Sequence, residues 1–256
     1  MALSRPHSAV FAALCFTTTL AASPITIFLD EMNSGVLNPQ VNINAVGAIV
    51  PTLSYVPAGG VAGPVDGIAG GYTQYSVDST AAGDPWYAGF GYYGAPGSPS
   101  PIHFTIPDQV PLQNVNFTFD GEAAGGNPLN VGVRVEAWDN NNSQELGVFY
   151  ILPLTIGGSF SQIGGPLSTF SFFSPLGLTA DQAKSMATDW RFNFSFAGTT
   201  ASTFGPDDAA PAYGQDAGNV LSMDNVYFRY TSTVPEPGSL ALLCIGLAVL
   251  ARLRKF

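Results

Sequence analysis

Alternation of apolar and polar positions recurs through the middle of this 256-residue chain. The clearest runs are residues 115–119, 131–137 and 190–196, where every second residue is apolar or aromatic. Successive side chains of a strand point to opposite faces, so these runs predict half-buried strands of antiparallel sheets. Less regular runs predict further strands at residues 25–29, 43–50, 72–77, 86–93, 102–106, 147–152, 167–173 and 220–230.

The predicted strands alternate with turn signals such as Gly-Gly, Asn-Pro and Gly-Pro. This pattern predicts an all-β fold, an antiparallel β-sandwich of jelly-roll-like type. One short helix is predicted at residues 180–188, with Thr179 as its N-cap and Asp181 in its first turn. Residues 89–101 form either a long surface loop or a joint between two domains, and a single domain is the simpler interpretation.

The first 22 residues have the order of a secretory signal peptide. Residues 1–8 carry one cation, Arg5, residues 9–16 are apolar, and residues 17–22 are small and uncharged. We therefore predict a signal helix at residues 1–22 that is removed by cleavage after Ala21 or Ala22.

The other end of the chain carries an apolar run at residues 240–251. These twelve residues span about 18 Å as a helix. They end close to the chain terminus and are followed by Arg252, Arg254 and Lys255, so they predict a short C-terminal transmembrane helix. The basic residues reach the headgroups and hold the C-terminus in the cytoplasm, which leaves the rest of the chain outside.

Val234, Pro235, Glu236 and Pro237 precede this run, and the two prolines favour an extended, solvated backbone. The order of proline-bracketed acid, apolar helix and basic end resembles the PEP-CTERM sorting signal over residues 234–256. The resemblance implies a Gram-negative bacterium that makes exopolysaccharide, and processing by exosortase. The protein is then exported through the inner membrane, anchored there transiently and finally placed at the cell surface or outside the cell. The alternatives are an ordinary membrane anchor and a buried terminal helix.

The domain between the two signals, residues 23–233, is strongly acidic. It contains four Lys and Arg residues against seventeen Asp and Glu residues, a formal net charge of −13. Such a charge repels nucleic acid and anionic lipid headgroups and suits cations, calcium above all, or a neutral partner. The two cysteines, Cys15 and Cys244, both lie in the terminal segments, so disulfides and thiolate chemistry are excluded from the domain.

Asp224 shares the even-numbered face of its predicted strand with Val226, so an unbroken strand would direct the carboxylate into the core. Residues 223–226 also resemble the final strand of jelly-roll carbohydrate-binding-type domains. That resemblance implies a structural calcium held by Asp30, Glu31 and Asp224. The alternatives are capping of backbone groups by Asp224, or a bulge that turns it outward.

A second calcium candidate is the segment after residue 138. Oxygen-bearing side chains stand at positions 1, 3, 5 and 7, namely Asp139, Asn141, Ser143 and Glu145. This is the spacing of the first half of a calcium loop, although Gln144 replaces the turn glycine of an EF-hand. A solvated hairpin turn between two strands is the alternative.

Aromatic residues give the candidates for glycan stacking, namely Trp86, Tyr87, Tyr92 and Tyr93 in a Gly-rich segment. Packing in the core is the alternative for these four residues. Trp138 and Trp190 lie at strand ends, and we expect both in the core.

Catalytic signals are weak. His103 is the only histidine of the domain and lies in a predicted strand, and no nucleophile, metal or phosphate motif is present. Acid pairs such as Asp207 with Asp208, or Glu136 with Asp139, leave a glycoside hydrolase as a third hypothesis.

The sequence therefore predicts an exported cell-surface or extracellular-matrix protein without enzymatic activity, with a structural or adhesive role. A carbohydrate-binding module is the alternative. Exosortase, exopolysaccharide or other glycans and, transiently, the inner membrane are the expected partners, and nucleic acid is not.

Overall fold

Two antiparallel sheets form this protein, as the alternating pattern predicts. The computed structural model describes residues 23–46, 51–77, 87–93, 102–124, 129–196 and 219–232. The strands of the first sheet are β1 (Pro24–Asp30), β3 (Pro51–Val56), β4 (Tyr72–Val77), β7 (Val115–Ala124), β10 (Ser161–Pro166) and β13 (Asn219–Thr231). The strands of the second sheet are β2 (Val41–Val46), β5 (Tyr87–Tyr92), β6 (Ile102–His103), β8 (Leu129–Asp139), β9 (Gln144–Ile156), β11 (Ser171–Phe173) and β12 (Asp189–Phe196).

Strand order places the last strand inside the first sheet. The order there is β10-β7-β13-β4-β3, and β1 also pairs with β13. The second sheet runs β11-β9-β8-β12-β5-β2, and β6 also pairs with β12. The first and last strands are thus antiparallel neighbours, with Pro24 opposite Thr231 and Asp30 opposite Val226.

The core between the sheets is largely aromatic. Phe117 of β7 packs on Phe192 of β12 with ring centroids 4.5 Å apart, and Phe119 packs on Phe194 at 5.0 Å. All four rings are fully buried. These are alternate residues of two confidently predicted strands, so the period-two pattern correctly identified the inward face.

The single helix of the described residues, α1 (Ala180–Met186), begins as predicted. Thr179 Oγ1 accepts the backbone N–H of Gln182 at 3.3 Å, and the Gln182 side chain accepts the N–H of Thr179 at 2.8 Å. This reciprocal pair is a capping box. Lys184 fastens the helix to the preceding loop, because its buried ammonium donates to the carbonyl oxygens of Asp108 and Val110.

Two strands were not predicted. The sequence predicted one strand at residues 43–50. The structure has a strand that overlaps this range, β2, and a further strand after it, β3, which was not predicted. β10 was missed because it carries no apolar alternation and contains Gly164 at φ +98°. The predicted strand at 167–173 is a short 3-10 turn, Leu167–Thr169, followed by the three-residue β11.

Residues Pro24–Ser232 form one compact unit. None of the helices within the described residues has the length and apolarity needed to span a bilayer. The predicted signal helix at residues 1–22 and the predicted transmembrane helix near the C-terminus lie outside the described residues.

Candidate functional site

A bulge interrupts β13 where Asp224 and Asn225 stand. The pairing of β13 with β7 shifts between Asp224 and Tyr227, and Asn225 has a left-handed backbone with φ +48°. Core side chains of β13 are odd-numbered before the bulge and even-numbered after it: Leu221, Met223, Val226 and Phe228. The strand is therefore not unbroken, and Asp224 faces away from Leu221 and Met223 rather than into the core between the sheets.

Asp224 is nevertheless fully buried. Its Oδ2 accepts the backbone N–H of Val61 at 2.7 Å, and its Oδ1 accepts that of Asn225 at 2.8 Å. Burial raises the pKa of the carboxyl to about 6, the charges of Asp120 and Asp30 act in the same direction, and the two N–H groups oppose them. The capping of backbone groups is thus observed, and the bulge does not turn the side chain to solvent.

Asp120 lies directly opposite Asp224 across the β7–β13 pair and is also buried. The Asn225 side chain contacts Asp120, because its amide nitrogen donates to Asp120 Oδ2 at 2.8 Å and to the Val61 carbonyl at 3.2 Å. Asn225 Oδ1 is buried and has no hydrogen-bond partner. We call Asp120, Asp224 and Asn225 the buried carboxylate cluster.

Two hydroxyl oxygens on the strands that carry the cluster also lack a hydrogen-bond partner. Thr118 Oγ1 and Ser222 Oγ, each two residues from an acid of the cluster, are buried and have no partner. A buried polar atom without a partner costs about 1–3 kcal/mol. Three such oxygens lie on β7 and β13, the two strands that carry the carboxylates.

The segment at residues 57–71 contributes main-chain oxygens to the cluster. A Cβ placed on Gly60 would lie 2.5 Å from the Gly71 carbonyl oxygen and 3.1 Å from that of Gly70, and it would overlap Asp224 Oδ2. Only glycine fits here, and the reason is the close approach of these oxygens.

Asp30 has other partners. Its Oδ2 accepts the Tyr92 hydroxyl and the Asn38 amide, both at 2.7 Å, and its Oδ1 accepts the N–H of Met32 at 3.1 Å. Burial and the charge of Asp30 raise the pKa of Tyr92 well above its usual range. Tyr92 is fully buried, so the prediction that its ring stacks on a glycan is wrong.

Glu31 accepts a hydrogen bond from the segment around residue 65. Its Oε1 accepts the N–H of Val65 at 3.0 Å and the Tyr227 hydroxyl at 3.4 Å. In the part of the chain that the structure describes, no three His, Cys, Asp or Glu side chains are grouped so that they could hold a metal. The predicted set of Asp30, Glu31 and Asp224 therefore does not form one ligand group.

The second calcium candidate is a hairpin turn. Asp139 of β8 is paired with Gln144 of β9, and Trp138 is paired with Glu145. Asp139 Oδ1 accepts the N–H of Asn141 at 3.0 Å, and its Oδ2 accepts the Asn142 amide. Hydrogen bonding, chiefly from the Asn142 side chain, lowers the pKa of Asp139. The solvated-turn interpretation of Asp139, Asn141, Ser143 and Glu145 therefore describes what the structure shows.

The outer face of the second sheet, opposite the aromatic core, carries polar and aromatic side chains. Register places Tyr150, Arg134 and Asn193 in one row across β9, β8 and β12. Glu136 and Arg191 form the next row, and Trp138 lies beyond them. All six side chains are half-buried. We call these six residues the polar face.

Trp138 belongs to this face and not to the core, contrary to our expectation. The Arg191 guanidinium lies 3.7 Å from the centroid of the Trp138 ring, and the indole N–H donates to Glu136 Oε2 at 3.0 Å. Burial lowers the pKa of Arg191, while Glu136, Asp189 and Glu145 favour its charged form. Trp190, in contrast, is fully buried as predicted.

Several predicted site residues lie outside the part of the chain that the structure describes. Trp86, the sorting residues Val234, Pro235, Glu236 and Pro237, and the basic residues Arg252, Arg254 and Lys255 are among them, and of Tyr87 only the backbone in β5 is described. Tyr93 follows β5 and is half-buried. His103 has a largely exposed ring whose Nδ1 lies 3.3 Å from Oδ2 of the buried Asp189.

Sequence reasoning missed Asp120 and Asn225. Neither lies in a recognisable motif, and only the pairing of β7 with β13 brings them to Asp224. Asp120 lies in β7 and Asp224 in β13, six strands later in the chain, so the sequence carries no signal that they are partners.

Over the residues that the structure describes, the fold is an antiparallel β-sandwich with one short helix. Residues 233–255 match the PEP-CTERM protein-sorting motif, which confirms the resemblance inferred from residues 234–256. The match includes Val234 to Pro237 and the three basic residues, and a motif of this kind indicates export with a C-terminal sorting signal.

Solved carbohydrate-binding modules have a similar fold. The family 11 module from Clostridium thermocellum, in complex with a β-1,3-1,4-mixed-linked tetrasaccharide, has 14% identity and a TM-score of 0.46 over 78% of this chain and 93% of that one. The CBM22-1 xylan-binding domain from Paenibacillus barcinonensis has 10% identity and a TM-score of 0.40 over 84% and 99%. None of the curated proteins matches the chain.

Proposed function

We propose that this chain is an exported cell-surface or extracellular-matrix protein with a non-enzymatic, structural or adhesive role in exopolysaccharide. The observation that carries the proposal is the sorting motif at residues 233–255. It begins directly after β13, which ends at Thr231 inside the first sheet. The folded unit and the sorting segment thus follow each other without an intervening domain.

Processing by exosortase at or near Pro235-Glu236-Pro237 is part of this proposal. The signal peptide directs export, the C-terminal helix holds the chain in the inner membrane, and cleavage releases or transfers the sandwich. Like other processed C-terminal signals, a removed tail leaves no membrane span in the mature protein.

Mass spectrometry of the protein recovered from the cell surface and the culture medium tests this proposal. We expect a new N-terminus near Ser23 and a new C-terminus at or near Pro235-Glu236-Pro237, with the apolar run and the basic residues lost. Replacing Pro235, Glu236 and Pro237 by alanine should leave the full-length chain in the inner membrane, whereas Asp139→Ala should be processed normally. Exported material that retains Phe256 would contradict the proposal.

A second candidate function is carbohydrate binding. The observation that favours it is the polar face, where aromatic rings stand beside amide, carboxylate and guanidinium groups. Sugars present apolar ring faces and hydroxyl groups, so rings for stacking and polar groups for orientation suit them. The face carries both charge signs, Arg134 and Arg191 against Glu136, which favours a neutral glycan. Trp86, Tyr87 and Tyr93 remain part of this proposal.

Affinity for the host's own exopolysaccharide and for an array of neutral glycans tests the second candidate. Tyr150→Ala and Asn193→Ala, in one row of the face, should each weaken binding about tenfold, in line with the loss of one stacking or hydrogen-bonding group. Tyr72→Ala in β4 of the first sheet is the matched control and should bind like the unmodified protein. Equal binding by all three variants would reject the polar face as the glycan site.

A further inference from the structure

The strand that leads into the sorting motif is fixed at its end. Arg229, Tyr230 and Thr231 of β13 pair with β1, and Arg229 and Tyr230 also pair with β7 on the other side. Tyr230 is buried, and the Asn114 amide donates to the Thr231 carbonyl at 3.2 Å. Unpairing these residues would break strand hydrogen bonds on both sides and expose a core side chain. The connection to the sorting motif therefore starts after Thr231.

The same end of the first sheet receives the chain from the predicted signal peptide. Pro24, the first residue of β1, is opposite Thr231. The predicted cleavage after Ala21 or Ala22 leaves at most Ala22 and Ser23 before β1. Both processing steps of the proposed export thus act on segments that join the sandwich at neighbouring positions.

This end of the first sheet is uncharged, although the domain is strongly acidic. β7 begins there and β10 ends there, and each adjoins a 3-10 turn. We call residues 23–26, 111–116, 166–169 and 230–232 the exit corner. None of them is Asp, Glu, Lys or Arg, whereas the domain has a formal net charge of −13. Ile25, with 38% of its surface exposed, and Gln113 present side chains to solvent.

The length of the connection decides what the exit corner contacts. Pro235 is the fourth residue after Thr231, so even a fully extended chain carries it no more than about 14 Å from the sheet. A stable protein–protein contact covers about 800 Å² on each partner, a patch about 30 Å across. An enzyme that holds Pro235-Glu236-Pro237 therefore reaches the exit corner. The apolar run begins at Leu240, up to about 32 Å from Thr231, so contact with lipid is not imposed in the same way.

We propose that the exit corner is an interaction surface for exosortase, so that the enzyme contacts the folded sandwich as well as the sorting motif. The inference rests on the proposed processing of the tail. Interface cores are depleted of charged residues, and an acid pressed against a partner without a counter-charge opposes binding. An uncharged exit corner suits such a contact, whereas the acidic remainder of the domain is repelled by anionic headgroups.

The test is the rate at which the full chain loses its tail in its own host, followed by pulse labelling. Gln113→Glu and Ile25→Glu each place one acid on the exit corner and should each slow removal of the tail about tenfold. Ile43→Glu, at an exposed isoleucine of β2 in the other sheet, and Gln144→Glu in the hairpin turn are the matched controls. Both should be processed at the unmodified rate. A new N-terminus near Ser23 and a Tm within about 2 °C of the unmodified chain show that export and folding are unchanged.

A longer connection separates contact with the sandwich from other causes of slow processing. Eight Gly and Ser residues inserted between Ser232 and Thr233 add about 16 Å of r.m.s. reach, so the enzyme can hold the motif away from the exit corner. In the lengthened chain Gln113→Glu should have no effect. It should be processed at the rate of the lengthened chain without the substitution.

Two results overturn the inference and leave the processing itself in place. Either Gln113→Glu and Ile25→Glu keep the unmodified rate, or their slow processing persists in the lengthened chain. Equal slowing by Ile43→Glu also overturns it, because any added acid would then have the same effect. An unmodified chain that retains its tail contradicts the proposed processing, and the inference with it.

Discussion

The β8–β9 hairpin turn and the β13 bulge each contain an aspartate followed by an asparagine, but the two aspartates differ in burial and in the direction of their pKa shift. In the turn, Asp139 is half-buried, its carboxylate accepts hydrogen bonds from Asn141 and Asn142, and its pKa is lowered. In the bulge, Asp224 is buried between acids and its pKa is raised to about 6. An aspartate next to asparagines is therefore not by itself a cation site.

The two aspartates differ in their contact with water and in the hydrogen-bond donors around them. Water and local amides stabilise the charge of Asp139, so nothing further is needed there. At the bulge the neighbouring amide donates to one acid and leaves its own oxygen without a partner. Asp30 is a third case, because it is buried but receives a hydroxyl, an amide and a backbone N–H.

The largest expected effect comes from filling the space beside Asp224. Gly60→Ala would force a methyl group against Asp224 Oδ2 and the Gly71 carbonyl. We expect the free energy of unfolding to fall by about 3 kcal/mol, as for other overpacked sites. Urea denaturation of the variant beside the unmodified chain measures this loss.

Gly157→Ala is the matched control, because a Cβ there meets no atom within 4 Å. It should leave the unfolding free energy within about 0.5 kcal/mol of the unmodified protein. Equal destabilisation by the two variants would show that the oxygens around Gly60 do not converge as described.

A smaller effect is expected at the satisfied buried acid. Tyr92→Phe removes the hydroxyl that donates to Asp30 and leaves the ring in the core. Hydrogen bonds to charged groups contribute about 1.5 to 3 kcal/mol, and Asn38 still donates to the same oxygen, so we expect a loss of about 1.5 kcal/mol. Urea denaturation of this variant beside Tyr72→Phe, whose ring packs on Phe160, gives the difference. A loss no greater than that of Tyr72→Phe would mean that Asp30 does not need this donor.

The smallest effect is expected at the hairpin turn. Asp139→Ala removes two hydrogen bonds that solvent can replace, so the Tm should hardly change. Thermal unfolding of the variant beside the unmodified chain measures the change. A fall in Tm of several degrees would mean that solvent does not replace these hydrogen bonds, and would remove the contrast with the bulge.

Strand pattern predicted most of the architecture. The runs around Phe117, Val133 and Phe192 alternate strictly, and each became a strand whose alternate residues are buried in the core. β10 could not be predicted, because its polar and glycine residues form a strand only through pairing with β7. Trp138 was placed wrongly because its position at a strand end does not reveal that Arg191 lies over its ring.

The candidate site was predicted in part. Asp224 was recognised from its parity, but the parity argument assumed an unbroken strand, and the bulge at Asn225 reverses the face. Tyr92 was a candidate for glycan stacking because it lies in a glycine-rich segment, with core packing as the alternative, and the structure buries it against Asp30.

The sequence by itself determined the sorting motif, the acidic charge, the absence of cysteine from the domain and the β-rich class. These properties depend on residue identity, order and local periodicity. The tertiary structure alone decided which acids meet, since Asp120 and Asp224 are 104 residues apart and become neighbours only through strand pairing. It also decided which of the two aspartates that precede an asparagine keeps contact with water, because burial is a property of the packed chain and not of the segment.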